Sequence, residues 1–300
     1  MKNVLITGGT GLIGKQLVDK LLQQDVHVYI LSRKDHQSDH GRKTFINWSK
    51  EGFEHEVPDI DIVINLAGAS LFQYWTPKAR QSIMMSRLKS TQRLYELFKD
   101  RNYKPEVLFN ASAIGYYPPD AYETYTESFK TLPFDFLSDV VYQWERTAQK
   151  FTNLNTRVVM GRFGIVLSQK GGALGLMALP YRLFLGGQLG SGKQWYSWVH
   201  IDDLTDAIMH LIFKSNGHGP YNLTAPMPER QDLFCYGIGQ TLHRPHYTYV
   251  PAPLIRLAIG KLSTIILDTQ KVLPNRLSAE GFKFKYPNIK IAFNDLFNKK

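Results

Sequence analysis

The sequence predicts an α/β fold in which a doubly wound parallel sheet is joined to a smaller, α-rich C-terminal lobe. Over the first 160 residues, short apolar runs alternate with segments whose apolar residues recur at helical spacing. Three glycines spaced three residues apart connect the first run to the first helical segment. Beyond residue 165, glycines interrupt an apolar stretch, and mainly helical patterns follow. Strands separated by helices of this length imply right-handed crossovers and therefore parallel pairing.

The predicted elements alternate along the chain. Apolar runs bounded by polar residues predict strands at residues 4–7, 26–31, 60–66, 107–111, 157–160 and 221–223. Helical spacing of apolar residues predicts helices after Leu12, after Pro77, and over residues 136–151, 233–242 and 253–262. An amphipathic stretch over residues 282–286 lies near the end of the chain.

Composition excludes several classes of protein. The single cysteine, Cys235, rules out an intrachain disulfide, and Pro180 and Arg182 interrupt the longest apolar stretch, so no membrane span is expected. The first apolar run is too short for a secretion signal, which predicts a cytoplasmic protein. A net charge of +10 favours anionic ligands, but the basic residues are scattered and form no nucleic-acid motif. We expect a small-molecule substrate, neither nucleic acid nor a membrane as partner, and a chain compatible with a homodimer.

The segment from Thr7 to Gly14 predicts a phosphate-binding loop. Its glycines lie directly between a strand and a helix, where they permit a tight turn and close approach of the backbone to a pyrophosphate. The N–H groups and dipole of the helix then attract the anion. In this context the motif indicates a Rossmann-type dinucleotide site, and a tight turn without a ligand is the alternative. The predicted contacts are Gly8, Thr10, Gly11, Leu12, Ile13 and Gly14.

The end of the second strand favours NADP(H) over NAD(H). A site selective for NAD(H) usually places an acidic residue here to bind the ribose hydroxyls, whereas this strand ends in Ser32 and Arg33, and Asp25 precedes it at the wrong end. Arg33 can pair with a 2′-phosphate through two charge-assisted hydrogen bonds, and Ser32 can donate another. The alternative for Arg33 is a solvated loop charge.

Two further strand ends point to the same edge of the sheet. Leu66, Ala67 and Gly68 follow the third predicted strand, and these small or apolar residues would let a ribose lie near the backbone. Ala111 and Ser112 close the next strand, so that the Ser112 hydroxyl could lie near a nicotinamide. A role for Ser112 as a helix or turn cap is the alternative.

Motifs along nearly the whole chain carry a family resemblance. They are Asn65-Leu66-Ala67-Gly68, Ser86-Arg87, Ser112-Ala113-Ile114-Gly115-Tyr116-Tyr117, Trp144-Glu145, Arg162-Phe163-Gly164, residues 186–195, Trp198-Val199-His200-Ile201-Asp202-Asp203-Leu204, Leu242-His243-Arg244-Pro245 and Gly281-Phe282-Lys283-Phe284. Together they resemble the extended short-chain dehydrogenase/reductase superfamily, the NAD(P)-dependent epimerases and dehydratases. Within it, the chain is similar to epimerase-family proteins with a characteristic DUF1731-like C-terminal domain. The resemblance implies an NADP-binding domain at residues 1–224, with residues 165–197 contributing to a substrate cleft, and an epimerase-family domain at 225–300. It also implies that Arg162 belongs to the cofactor site.

The chain departs from the superfamily at its catalytic device, a Tyr-x-x-x-Lys pair on the helix after the strand that ends in Ser. Aligned on Trp144-Glu145, the Tyr and Lys positions hold Val141 and Glu145. Tyr142 and Arg146 keep the spacing one residue later, but that step turns them by about 100° around a helix, and we expect them to face away from the cofactor.

Three groups are candidates for proton transfer in place of that pair. Glu145 could act as a general base beside Ser112, and a structural carboxylate paired with a nearby arginine is the alternative. Tyr116 and Tyr117 are candidate proton donors, one of which could instead pack under the nicotinamide.

We expect His200 to be structural, with the neighbouring aspartates capping a helix. The pairs His36/His40 and His243/His246 lack acidic or cysteine companions at ligand spacing, so no metal site is expected.

These observations lead to two hypotheses. The first is an NADP(H)-dependent oxidoreductase or epimerase acting on a small, sugar-like or apolar-faced substrate, with an apolar cleft wall over residues 174–185. The second is a non-catalytic NADP(H)-binding redox sensor or scaffold, which the missing Tyr-x-x-x-Lys pair favours.

Overall fold

The computed structural model describes residues 1–38 and 41–298, so His40 lies outside the described residues. The strands are β1 (Lys2–Thr7), β2 (Val26–Ser32), β3 (Lys43–Asn47), β4 (Ile62–Asn65), β5 (Val107–Ala113), β6 (Thr124–Tyr125), β7 (Arg157–Phe163), β8 (Ile165–Leu167), β9 (Gly187–Leu189), β10 (Trp195–Tyr196), β11 (Trp198–His200), β12 (Gly219–Leu223), β13 (Glu229–Arg230), β14 (Thr248–Val250) and β15 (Lys271–Val272). The helices are α1 (Leu12–Leu21), α2 (Pro77–Lys99), α3 (Phe136–Gln149), α4 (Ala173–Arg182), α5 (Ile201–Phe213), α6 (Gln231–Leu242), α7 (Ala252–Ile259), α8 (Thr264–Leu267), α9 (Asn275–Ala279) and α10 (Ile289–Asn298).

Within the described residues, seven strands form one parallel sheet in the order β12-β7-β5-β4-β1-β2-β3. Chain order reverses between β1 and β4, because β1 pairs with β2 on one side and with β4 on the other. In sheets of this kind, ligands bind at the carboxyl ends of the strands beside such a reversal. The topology confirms the predicted fold class.

Helices cover both faces of the sheet. Val4 and Ile6 point to the face covered by α1 and α5, whereas Leu5 points to the face covered by α2 and α3. This alternation follows from the two-residue period of a strand, and burial on both faces explains why the central strands are almost wholly apolar.

A separate apolar core holds the C-terminal lobe together. Tyr181 from α4, Phe234 from α6 and Phe293 from α10 meet in it with the fully buried Trp198. The Phe234 and Phe293 rings are 5.0 Å apart in an edge-on arrangement. Segments before and after residue 225 therefore share one core. Across the described chain, no helix is long and apolar enough to cross a membrane.

The edge strand β3 and helix α10 are among the regular elements that the sequence pattern does not predict. The edge strand β3 buries only Ile46 fully, so its apolar pattern is weak. Helix α10 buries Ala292, Phe293 and Leu296 on one face. The amphipathic stretch over residues 282–286, by contrast, has no regular secondary structure, because Asp203 in α5 accepts hydrogen bonds from the backbone N–H groups of Lys285 and Tyr286.

Candidate functional site

The glycine loop packs against the end of β4 so closely that side chains are excluded. Gly8 has φ of +71°, and a Cβ on it would lie 2.8 Å from the Leu66 carbonyl carbon. A Cβ on Gly14 would lie 2.1 Å from the Gly8 carbonyl oxygen. Backbone atoms form both contacts, so the loop cannot relax around a larger residue without opening. The sequence therefore needs glycine here to bring β1, β4 and α1 together at one point.

The start of α1 has the features of an anion site. Gly11 caps the helix without a side-chain hydrogen bond, and the first turn carries no acidic residue. Thr10 and Gly11 are exposed, while Leu12 and Ile13 are half-buried behind them. The residues present thus fit a dinucleotide pyrophosphate, because free N–H groups and the helix dipole face an open approach.

A buried network of polar side chains fixes the strand ends under this loop. The Thr7 hydroxyl donates to Asn65 Oδ1 at 2.7 Å, and Asn65 Nδ2 donates to Thr91 Oγ1 at 2.7 Å and to Asn110 Oδ1 at 2.6 Å. The Trp144 indole N–H also donates to Thr91, at 3.0 Å. The network joins β1, β4, β5, α2 and α3, so it sets the relative positions of the cofactor loop and the candidate catalytic residues.

Ser32 and Arg33 lie side by side at the end of β2, and their role in binding a 2′-phosphate stays a prediction. Ser32 Oγ accepts from the backbone N–H of Lys34 at 3.2 Å, and the Arg33 side chain is exposed next to it. The nearby carboxylate of Asp35 is 2.8 Å from Lys50 Nζ and also accepts from Asn47. That carboxylate is therefore already engaged by other side chains of the loop.

Ser112, Glu145 and Arg162 form a buried cluster at the carboxyl ends of β5 and β7. The Ser112 hydroxyl donates to Glu145 Oε1 at 2.6 Å. Arg162 donates from Nε to Oε1 and from Nη2 to Oε2 of the same carboxylate, both at 2.8 Å. Burial opposes the charge of Arg162, but the hydrogen bonds to Glu145 outweigh it and hold the pKa of the guanidinium above its ordinary value. The structure thus contains the arginine-paired carboxylate that was the alternative for Glu145, and adds Ser112 as its third partner.

The two tyrosines after β5 complete the cluster around Arg162. The Tyr116 ring lies under the guanidinium, with 3.5 Å between ring centre and Cζ. Arg162 Nη1 donates to the Tyr117 hydroxyl at 2.9 Å, and that hydroxyl donates to Asn222 Oδ1 at 2.8 Å. Burial raises the pKa of Tyr117 to about 12 although Arg162 opposes the rise, so Tyr117 keeps its proton at neutral pH. Sequence reasoning missed Asn222, whose only signal was a polar residue inside a short apolar strand.

Val141 and Tyr142 pack against the two tyrosines, but neither they nor Arg146 form a hydrogen bond to Ser112 or Glu145 in the described structure. Val141 is buried on α3 one turn before Glu145. Arg146 is exposed, and its guanidinium lies 5.7 Å from the centre of the Tyr142 ring. Tyr142 and Arg146 therefore contact each other, and the expectation that they face away from the cofactor stays a prediction.

His200 has a structural role, but the expectation that the aspartates cap the helix is wrong. The helix cap of α5 is His200 itself, whose Nδ1 accepts from the backbone N–H of Asp202 at 3.1 Å. Its ring stacks on Tyr286 with 3.7 Å between centres. Asp203 instead accepts from the backbone of the C-terminal segment at Lys285 and Tyr286. Because a ring nitrogen of His200 caps α5, the carboxylate of Asp203 is available for these tertiary contacts.

A clamp on the loop after β4 was not predicted from the sequence. Ser86 Oγ accepts from the Ala69 backbone N–H at 2.9 Å, and Arg87 Nη1 donates to the Ala69 carbonyl at 3.2 Å. A Cβ on Gly68 would lie 3.0 Å from Arg87 Cζ. Ser86 and Arg87 were noticed only as a motif, because the loop they hold is 17 or more residues away in sequence.

The N-terminus of helix α4 lies next to Leu12, at the start of α1. A Cβ on Gly172, which caps α4, would lie 3.2 Å from Leu12 at the start of α1. From there α4 exposes Leu176 and Leu179, and Leu183, directly after its last residue, is exposed as well. This arrangement is compatible with the apolar cleft wall predicted over residues 174–185, and that wall stays a prediction.

Two family models match the chain. The model of the NAD dependent epimerase/dehydratase family covers residues 4–224, and that of a domain of unknown function, DUF1731, covers residues 250–296. Among curated relatives, an epimerase family protein of Staphylococcus epidermidis is 60% identical over 296 residues, covering 99% of each chain.

Solved structures show the same fold. Human epimerase family protein SDR39U1 (isoform 2), solved with NADPH, is 30% identical with a TM-score of 0.88 and covers 99% of this chain and 100% of its own. UDP-glucuronic acid 4-epimerase from Bacillus cereus, solved with UDP-glucuronic acid and NAD, is 16% identical with a TM-score of 0.79 and covers 99% of this chain and 98% of its own. At 16% identity, the second likeness concerns the fold alone.

Proposed function

The chain belongs to the NAD-dependent epimerase/dehydratase family, and we propose that it is an NADP(H)-dependent oxidoreductase or epimerase of the extended short-chain dehydrogenase type. The proposed substrate is small and sugar-like. The observation that carries the proposal is the Ser112–Glu145 hydrogen bond at the carboxyl end of β5, two strands from the glycine loop. A hydroxyl held by a carboxylate at this edge of the sheet is suited to moving a proton.

NADP(H) is the proposed cofactor. Gly8, Gly11 and Gly14 with the start of α1 would hold the pyrophosphate, and Arg33 would hold the 2′-phosphate. The human relative solved with NADPH supports this choice, whereas more distant structures contain NAD. When bound, the nicotinamide supplies or accepts hydride. A cytoplasmic location stays a prediction.

The residues of the buried cluster around Glu145 have different proposed roles in proton transfer. Ser112 Oγ would accept a proton from a substrate hydroxyl, or return one, while its own proton moves to or from Glu145 Oε1. Arg162 fixes both carboxylate oxygens and keeps Glu145 oriented toward Ser112. Tyr116 and Tyr117 position Arg162 from the other side, so they act through it.

The second candidate is a non-catalytic NADP(H)-binding redox sensor or scaffold. It is favoured by the bidentate Arg162 contact, since Glu145 then resembles a structural ion pair, and by the absence of tyrosine and lysine at positions 141 and 145. Both candidates share the cofactor site and differ only in turnover.

The first test is mass spectrometry of nucleotide released from freshly purified protein, followed by titration with NADPH and NADH. Retained NADP(H), with NADPH bound more tightly than NADH, supports the proposal and leads to a screen of carbonyl and sugar substrates. Failure to bind either nucleotide would contradict both candidates. Binding without turnover across the screen favours the sensor.

A further inference from the structure

Arg87 is a largely buried guanidinium that no carboxylate neutralises. Its Nη1 donates to the carbonyls of Ala69 and Ile83, at 3.2 and 2.9 Å, and its Cζ lies 5.1 Å from the centre of a Trp144 ring. Within the described part of the chain, Arg87 forms no ion pair, and its Nε and Nη2 make no hydrogen bond to the protein. The side chain therefore has unused donors as well as an uncompensated charge.

The carboxylate beside Trp144 is already engaged by other side chains. Glu145 follows Trp144 on α3, but its two oxygens are taken by Arg162 and Ser112. Burial lowers the pKa of Arg87 to about 10, which shows how strongly these surroundings disfavour a lone cation. An anion arriving at Nε and Nη2 would remove that penalty and gain charge-assisted hydrogen bonds.

The position of Arg87 decides which anion fits. Its guanidinium lies against Gly68 and Ala69, directly after β4, and β4 pairs with β5, the strand that ends in Ser112. The proposed pyrophosphate site at the start of α1 and the 2′-phosphate site after β2 belong to β1 and to the strand on its far side. An anion at Arg87 would thus lie at the loop after β4, between the strand that leads into the glycine loop and the strand that ends in Ser112.

We propose that Arg87 binds a carboxylate or phosphate group of the substrate, because it presents a partly buried guanidinium with unused donors between the loop after β4 and the ring of Trp144, the neighbour of Glu145. The inference rests on the proposed function and adds that the substrate is an anion. A phosphate of the cofactor has the same chemistry, so the experiment must distinguish the two sources.

The test uses the full chain saturated with NADPH. Inorganic phosphate, and separately acetate, is titrated at constant ionic strength while the unfolding midpoint and tryptophan fluorescence are recorded. We expect a saturable response in the original chain that Arg87→Gln abolishes, and Arg87→Lys should weaken phosphate binding at least about tenfold because it loses the planar fork. Arg80→Gln is the matched control, since Arg80 is on the same helix and stacks on Phe136; its response should be unchanged.

Three outcomes would overturn the inference. They are no saturable response in the original chain, an equal response in Arg87→Gln, and a loss of NADPH affinity of about tenfold or more in Arg87→Lys, which would assign Arg87 to the cofactor. If the chain binds no NADPH, the proposed function fails, and the same titration without nucleotide still tests the anion site. The two failures are therefore distinguishable.

Discussion

At the scale of single residues, Ser112 is the most informative position for catalysis. Ser112→Ala removes one hydroxyl from the buried cluster but leaves the Glu145–Arg162 pair intact. We expect turnover to fall about 100-fold or more, the size usual for a lost proton-transfer group, with NADPH affinity unchanged. Steady-state kinetics on the substrate from the screen, with NADPH titration, would measure both.

Ser263→Ala is the control for that change, because Ser263 is also buried but donates within its own turn at Gly260. Unchanged turnover in Ser112→Ala would make Ser112 a structural residue. Glu145→Gln is a less direct test, since it leaves Arg162 buried without its partner and should cost about 3–5 kcal/mol of stability.

Arg33 tests the cofactor preference. Arg33→Ala should weaken NADPH binding by about 10-fold or more and NADH binding hardly at all, because only NADPH carries the 2′-phosphate. Fluorescence titration with both nucleotides measures the ratio. Lys89→Ala removes one exposed charge elsewhere and should leave the ratio unchanged; an equal loss for both nucleotides in Arg33→Ala would contradict the assignment.

The positions of single residues could be predicted from sequence where a strand end places them, and less so where a distant partner decides them; their roles stay predictions. Ser112 and Arg33 follow directly from strand ends. The Glu145–Arg162 pair could be proposed only as an alternative, since nothing in the spacing says which arginine turns toward α3. The uncompensated charge of Arg87 could not be predicted at all, because it depends on which carboxylates are already taken.

At the scale of elements, the structure of the loop between β1 and α1 requires that residue 14 has no Cβ atom. Gly14→Ala would place a Cβ 2.1 Å from the Gly8 carbonyl oxygen and 2.7 Å from Gly9 Cα, so backbone must move. We expect at least about a tenfold loss of NADPH affinity and a loss of about 1–3 kcal/mol in the free energy of unfolding. Urea unfolding and NADPH titration measure the two effects.

Gly175→Ala is the matched control for the loop. It also lies in a helix, but a Cβ there meets nothing within 4 Å, so alanine should stabilise α4 by about 0.5–1 kcal/mol. If Gly14→Ala bound NADPH as tightly as the original chain, the close approach of the loop would not matter for the cofactor.

The central strands and long helices could be predicted because their apolar residues recur with a clear period. Elements with a weak apolar pattern could not be predicted. Strands β4 and β5 bury all or nearly all of their residues, β1 and β2 bury most of theirs, and all four stand out as apolar runs. The edge strand β3 buries one residue fully, and its pairing with β2 decides its structure. Residues 282–286 have an amphipathic pattern, yet tertiary hydrogen bonds to Asp203 hold them in an irregular path.

At the scale of the whole molecule, α5 joins the sheet to the C-terminal segment. His200 caps α5 and stacks on Tyr286, and Asp203 accepts hydrogen bonds from the backbone of that segment. The segment quoted for the resemblance at residues 198–204 is thus a docking point for the end of the chain.

Asp206 makes this junction sensitive to pH. It lies one turn further along α5, where its two oxygens contact Lys20 of α1 and, at 2.7 Å, Lys285 of the C-terminal segment. Burial raises the pKa of Asp206, but the hydrogen bonds from both lysines outweigh it and hold the pKa below its ordinary value. A carboxyl with a depressed folded-state pKa stabilises the fold above its ordinary pKa, and that stabilisation disappears as the pH falls through the folded-state value.

Asp206→Asn should therefore lower the free energy of unfolding by about 1 kcal/mol at pH 7, a modest value because the pair is partly exposed. Urea unfolding should give the same difference from pH 7 to 5 and a smaller one below about pH 4, since the unfolded chain then binds the proton first. Glu96→Gln, which breaks an exposed pair with Lys99 on α2, should change the free energy of unfolding much less, because solvent screens that pair. A difference that persists undiminished in acid, or that the Glu96 control reproduces, would mean that the three-way contact at Asp206 does not hold the C-terminal segment on the sheet.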